Sequence, residues 1–228
     1  MRPLYNIPNL GEVPSVTTIT KQLDKSGPLV GWAKKVMGKY LLSHRDDFPK
    51  DAEGVIKLAK QESRRLSEEA LEIGSNVHNC VEVHLKGHGV DGLLQGDPRI
   101  VKPYNAFLEW EKSNDFKLIE AEHKVWSLKH KFAGTLDIVG RVAGRLYIVD
   151  LKTSASIYPE YLLQVAAYKL AYEEMTNKDL EGVGILRLDK GGAGSEWRPY
   201  TLEETRAAAL RFLKLLDYWW LDKGEQHG

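Results

Sequence analysis

Asp137, Asp150 and Lys152 stand at the ends of two adjoining apolar runs. The first reads Ala133-Gly134-Thr135-Leu136-Asp137-Ile138-Val139-Gly140, the second Leu146-Tyr147-Ile148-Val149-Asp150-Leu151-Lys152-Thr153. Side chains alternate along an extended strand, so Asp150 and Lys152 project to one face while Val149 and Leu151 project to the other. Gathering two acids and an amine among apolar neighbours is costly unless the charges pair or bind a metal. Hydrolysis of a phosphodiester is the chemistry that suits such a set. It requires a cation to neutralise charge developing on phosphorus, a deprotonated water, and help for the leaving oxygen. Hard cations such as Mg²⁺ or Mn²⁺ favour carboxylate oxygens. Asp137 and Asp150 are therefore the candidate ligands, and the backbone carbonyl of Leu151 between Asp150 and Lys152 is a third. Lys152 is placed to orient or deprotonate the attacking water. A plain Asp–Lys ion pair at a strand end explains the same tripeptide, which by itself does not choose between them.

The elements that must hold these residues follow from periodicity. Segments 116–128, 131–142 and 145–152 read as successive strands, the last two joined in a hairpin at Ala143-Gly144. A helix over 158–176, strands over 182–188 and 196–200, and a helix over 201–223 complete the C-terminal part, the last opened by Thr201 with Glu203 and Glu204 in its first turn. Upstream, residues 1–27 read as irregular, with a short helix beginning at Ser15–Ile19 after Pro14. Helices follow over 28–42, 52–66, 67–85 (with Ser67 as N-cap) and 98–113, with a glycine-rich break at 87–96. Helices, a strand meander, a helix, more strands and a final helix imply an α/β protein with a mixed central sheet flanked by helices.

The chain's 228 residues suffice for one domain with an extra helical lobe, and its 43% hydrophobic and 28% charged content is that of an ordinary globular protein. No apolar stretch approaches the roughly 20 residues needed to cross a bilayer, and the N-terminus lacks a signal-peptide profile. The single cysteine, Cys80, excludes an internal disulfide framework and a four-cysteine zinc or iron–sulfur site. A reducing, cytoplasmic location is the expectation. Net charge is zero, which argues against coating nucleic acid by bulk attraction. Yet residues 1–65 hold 12 Lys/Arg against 7 Asp/Glu, leaving 20 against 25 for the rest. Lys34, Lys35, Lys39, Arg45, Lys57, Lys60, Arg64 and Arg65 are thus candidates for phosphate contact, or equally a solvated helix surface.

Three motifs occur in order around the two strands: Gly134-Thr135-Leu136-Asp137, Asp150-Leu151-Lys152, and Gln164-Val165-Ala166-Ala167-Tyr168. Together with the upstream element Gly74-Ser75-Asn76-Val77-His78, they resemble the PD-(D/E)XK nuclease superfamily and, within it, the RecB-like exonuclease branch. The resemblance runs from about Gly74 to Tyr168 and on through the strand at 184–188. It implies a restriction-endonuclease-like core over 67–228, with the helical, basic region 1–66 as part of the same domain or as a clamp over the cleft. It also implies a metal-dependent DNA nuclease, an exonuclease acting on ends or single strands in phage or bacterial replication, recombination or repair. Asp137, Asp150 and His78 would be metal ligands, Lys152 the catalytic lysine, and Gln164 and Tyr168 cleft residues; the last two, four apart, share one helix face. The family often has Glu where this chain has Asp150. Lacking more than one cysteine, the chain falls outside the iron–sulfur subfamilies.

Each satellite residue has two readings. His78 stands mid-helix beside Val77 and Val81, as a ligand or as a core histidine. Glu82, four residues on, shares its face and would fix the imidazole tautomer, or is a surface acid. Glu122 is a possible additional acid at the metal. Ser75 is placed for phosphate or for simple helix-surface polarity. Among the six tryptophans most read as core, and Tyr218-Trp219-Trp220 must expose at least one ring unless covered. The alternatives to an exonuclease are a structure-specific endonuclease of the same superfamily or a non-catalytic nucleic-acid-binding subunit. No helicase motif is present, so unwinding would come from a separate helicase or recombinase partner.

Overall fold

The computed structural model describes residues 4–23, 26–94 and 96–224. Leu4–Ile7 (β1) and Gly11–Pro14 (β2) pair antiparallel, the chain turning through left-handed Asn9 and Gly11 at φ 64 and 78. A short helix, Val16–Thr20 (α1), follows; its N-cap Ser15 accepts a hydrogen bond from Thr18 N at 2.9 Å. The two strands correct the expectation of irregular chain before Pro14, while the short helix after it is as expected. Each four-residue strand buries only one or two side chains, too few to show alternation, yet Ile7 and Val13 cluster with Ala133.

Ser26–Ser43 (α2) matches the expected helix. The two helices expected over 52–66 and 67–85 are one, Ala52–Leu85 (α3), and Ser67 is exposed mid-helix rather than a cap. No Gly or Pro interrupts 55–73, and Arg64–Glu68, Arg65–Glu62 and Arg65–Glu69 pairs at i,i+3 and i,i+4 run across the supposed boundary. The glycine-rich break holds one turn of helix, Asp91–Leu94 (α4). Pro98–Ser113 (α5) is capped by Asp97, which accepts from Arg99 N at 2.8 Å.

The sheet then builds in order: Lys117–Ser127 (β3), Phe132–Val142 (β4) and Arg145–Lys152 (β5) as an antiparallel meander, a crossover helix Pro159–Thr176 (α6), then Gly182–Leu188 (β6), Ser195–Tyr200 (β7) and the closing helix Leu202–Asp222 (α7). Spatial order is β3-β4-β5-β6-β7, with β5 and β6 parallel and every other neighbour antiparallel. The β5–α6–β6 crossover makes the sheet mixed, as expected. α7 starts on a capping box in which Thr201 and Glu204 satisfy each other's backbone N–H.

The chain divides into two compact units, one of residues 1–22 with 76–228 and one of residues 23–75. In the first, α6 packs across β3–β6, α7 packs on α6, and α5 packs on β6 and β7. Phe132 of β4 meets Phe212 of α7 at 5.0 Å between ring centres, and Trp110 of α5 meets Trp197 of β7 at 5.3 Å. Gly140 on β4 is required by a close approach: a Cβ there would fall 2.4 Å from the Phe116 ring. Of Tyr218-Trp219-Trp220, only Tyr218 is exposed, and both indoles are buried. In the second unit, α2 and the part of α3 up to Ser75 bury Val55, Ala59 and Ile73. Lys34, Lys35, Lys39, Lys57 and Lys60 lie exposed there.

The β4–β5 hairpin turns at Ala143 and Gly144, both left-handed with φ 48 and 81, the pattern of a tight primed turn. Glycine tolerates this; alanine is strained by roughly 1 kcal/mol, whereas asparagine visits the region readily. Ala143→Asn keeps the Ala143 N–H that donates to Asn114 O. It is expected to raise unfolding free energy by up to about 1 kcal/mol, read from the urea midpoint.

Candidate metal and catalytic site

β4 and β5 bring the strand residues together by register. Ile138 pairs with Val149, and one step beyond that pair Asp137 and Asp150 stand opposite each other, on the face that Lys152 shares. Asp137 Oδ2 accepts a hydrogen bond from Leu151 N at 2.7 Å. Its other oxygen lies 3.6 Å from His78 Nδ1, delivered by the C-terminal part of α3. Asp150 Oδ2 lies 2.5 Å from Lys152 Nζ. That contact is close but poorly aligned, and neither oxygen of fully buried Asp150 receives a well-formed hydrogen bond. A buried carboxylate that faces a single ammonium still has lone pairs to offer a cation.

The charges reinforce this picture. Burial pushes the Asp150 carboxyl up, to about 6; Lys152 pulls it down and Asp137 adds to the rise. Burial also works to raise Asp137, yet His78, Lys152 and the Leu151 N–H outweigh it and hold that carboxyl below its ordinary value. In turn burial works to lower His78 and Lys152, but the facing carboxylates leave both raised. Lys152 therefore keeps its proton beside the two acids. Its ammonium also lies 4.9 Å from the centre of the Tyr161 ring.

Glu122 enters more directly than its sequence suggested. One ligand atom each from His78, Glu122 and Asp137 all lie within 4.8 Å of one another, a group that could hold a metal ion. Asp150 is outside that trio. Burial raises the Glu122 carboxyl, and Asp137 and Glu82 raise it further. Its backbone is left-handed at φ 50, uncommon for a non-glycine residue in a strand and worth a kcal/mol or more of strain. Two acids and an imidazole within reach of one ion fit a hard or borderline divalent cation, with Asp150 next to Asp137 across the strand pair.

The remaining candidates divide. Gln164 Nε2 donates to Tyr168 Oη at 3.0 Å, as their shared face implied. Tyr168 itself is buried, its ring filling the space a Gly134 side chain would need, with Cε1 only 2.6 Å from that Cβ position. Glu82 pairs with Lys86 four residues on along α3. Ser75 is exposed on α3 and belongs to the second unit. Two further contacts lay outside the sequence reading. Tyr161 precedes Gln164 by three and Tyr168 by seven, a helical spacing that places it on the same face. Tyr5 of β1 bonds Thr135 Oγ1 at 3.1 Å, two residues before Asp137, and no local pattern announces it.

The model of the PD-(D/E)XK nuclease superfamily matches residues 58–219, well over half the chain and all the residues of this cluster. The chain belongs to the PD-(D/E)XK nuclease superfamily. Membership makes a nuclease, with DNA as the implied substrate and divalent metal as the implied cofactor, and the α/β architecture with its five-stranded mixed sheet agrees. Among curated proteins none matches the sequence. The crystal structure of SSO0001 is similar at 13% identity and TM-score 0.32, covering 65% of this chain and 72% of that one, an overlap too loose to add to the assignment. Among the described residues, no helix is long and apolar enough to cross a membrane.

Proposed function

We propose that this PD-(D/E)XK nuclease is a Mg²⁺- or Mn²⁺-dependent deoxyribonuclease that works as an exonuclease on DNA ends or single strands during replication, recombination or repair. The observation that carries the reading is the convergence of Asp137, Asp150, Lys152 and His78 into one largely buried charged cluster. In this reading Asp137, Asp150, His78 and the Leu151 carbonyl hold the cation, with Glu122 as an additional ligand. A bound divalent ion supplies charge neutralisation at phosphorus and a more acidic water. Lys152, kept protonated by two acids, donates to the attacking water and to phosphate oxygens. The Leu151 N–H fixes the Asp137 carboxylate, and Tyr168 steadies the Gln164 amide at the cleft. The unit of residues 1–22 with 76–228 carries the catalytic core, and the exposed lysines of the second unit are available to DNA phosphates. Unwinding of duplex falls to a separate helicase or recombinase.

End-labelled linear and circular single strands, incubated with Mn²⁺, test this. The wild-type protein should shorten linear strands stepwise and leave circles intact, and Lys152→Ala should slow cleavage by roughly 10²–10⁴-fold. Cleaved circles would make the protein an endonuclease. Cleavage of neither form, or no effect of Lys152→Ala, would remove the proposed chemistry.

A further inference from the structure

The start of α6 sets two tyrosines beside the catalytic amine. Lys152 Nζ sits 4.9 Å from the Tyr161 ring centre, and Tyr161 meets Tyr158 edge to face, centroids 5.6 Å apart and planes at 78°. Tyr161 is half-buried; Tyr158 is 41% exposed. Tyr158 is also the N-cap of α6, and its side chain makes no capping hydrogen bond. Ser, Thr, Asp or Asn would serve the helix better at that position. An aromatic that forgoes the cap, stays open to solvent and is braced against the neighbour of Lys152 is placed for something other than helix stability.

We infer that Tyr158 is the stacking platform for the nucleobase adjoining the scissile phosphate, so that the site takes an unpaired strand or a frayed end. This rests on the proposed nuclease reading and names the form of DNA that the same site accepts. Lys152 draws the phosphate; the base of that nucleotide then lies within a side chain's reach of the aromatic step. Every base has a π-face, so such a platform tolerates any sequence. A base inside a duplex already has both faces stacked, so only a base at an end or in an unpaired strand has a face to offer the ring.

The experiment compares wild type, Tyr158→Ala and Tyr158→Phe on oligo(dT) and on an abasic oligonucleotide of the same length, with Mn²⁺. Stacking of one base against one ring translates into about 5- to 150-fold in KM. Tyr158→Ala should raise KM for oligo(dT) by that factor and leave little difference between the two strands. Tyr158→Phe should restore the preference for the strand with bases. An unaltered KM for oligo(dT) in Tyr158→Ala, or an equal rise on the abasic strand, would overturn the inference while leaving the nuclease assignment standing. A wild-type protein inactive on every strand would bring down both.

Discussion

Asp150→Asn is expected to yield a folded protein whose cleavage falls by about three orders of magnitude or more and whose Mn²⁺-induced rise in Tm is largely lost. Asparagine has the same shape and keeps an oxygen facing Lys152 Nζ, which lies 2.5 Å from Asp150 Oδ2, while Asp137 remains as a charge beside the ammonium. What disappears is the anionic oxygen. A metal's stabilisation of developing charge is worth several kcal/mol, and each 1.36 kcal/mol is tenfold in rate. The same carboxyl sets a pH dependence. Burial first, and the Asp137 charge with it, hold Asp150 up at about 6. A raised carboxyl pKa means that the folded, metal-free protein prefers the protonated form, so this group's contribution to stability falls as pH climbs from its ordinary value of 3.8 to about 6. A cation needs the ionised form and must displace that proton below about pH 6. The Mn²⁺-induced shift in Tm should therefore be small near pH 5 and grow to a plateau by about pH 7.5. A shift of equal size in Asp150→Asn, or one indifferent to pH, would remove Asp150 from the ligands.

Phe212→Ala should cost about 3–5 kcal/mol of unfolding free energy. Phe212 is fully buried and meets the equally buried Phe132. The pair joins α7 to the first residue of β4, the strand that carries Asp137. Phe212→Leu keeps most of the volume and should cost under about 1.5 kcal/mol. Guanidinium unfolding followed by circular dichroism distinguishes the two, and near-equal midpoints would show that α7 does not anchor β4 through this contact.

Much of this architecture can be read from residues alone where burial imposes a period. β5 and β6 alternate or run apolar between clear turn residues, and α5 begins at a proline behind an aspartate, so their limits follow directly. α3 does not yield its length so easily. Ser67 followed by Glu68 and Glu69 imitates a helix start, and only the ion pairs spanning it reveal continuity. β1 and β2 are too short and too exposed to carry any alternation. In the site, Asp137, Asp150 and Lys152 announce themselves as charges ending apolar strands. His78 came from motif order, since a histidine between two valines has no signature of its own. Glu122 stands among the candidates in the sequence, but nothing in an alternating strand signals that it turns left-handed and brings its carboxylate near His78 and Asp137.

The hydrogen bond from Leu151 N to Asp137 Oδ2 has a consequence for how this protein can decay. The β4–β5 ladder gives out after Ile138 and Val149, and a side chain takes over the acceptor duty of the missing main-chain carbonyl. Asp137 is thus a rivet as well as a reagent. A lineage that stopped needing catalysis could shed Asp150 and Lys152 together, since each is the other's charged partner, but erasing the acceptor at 137 would orphan a core amide. Dead descendants of this enzyme should accordingly be marked at 150 before 137.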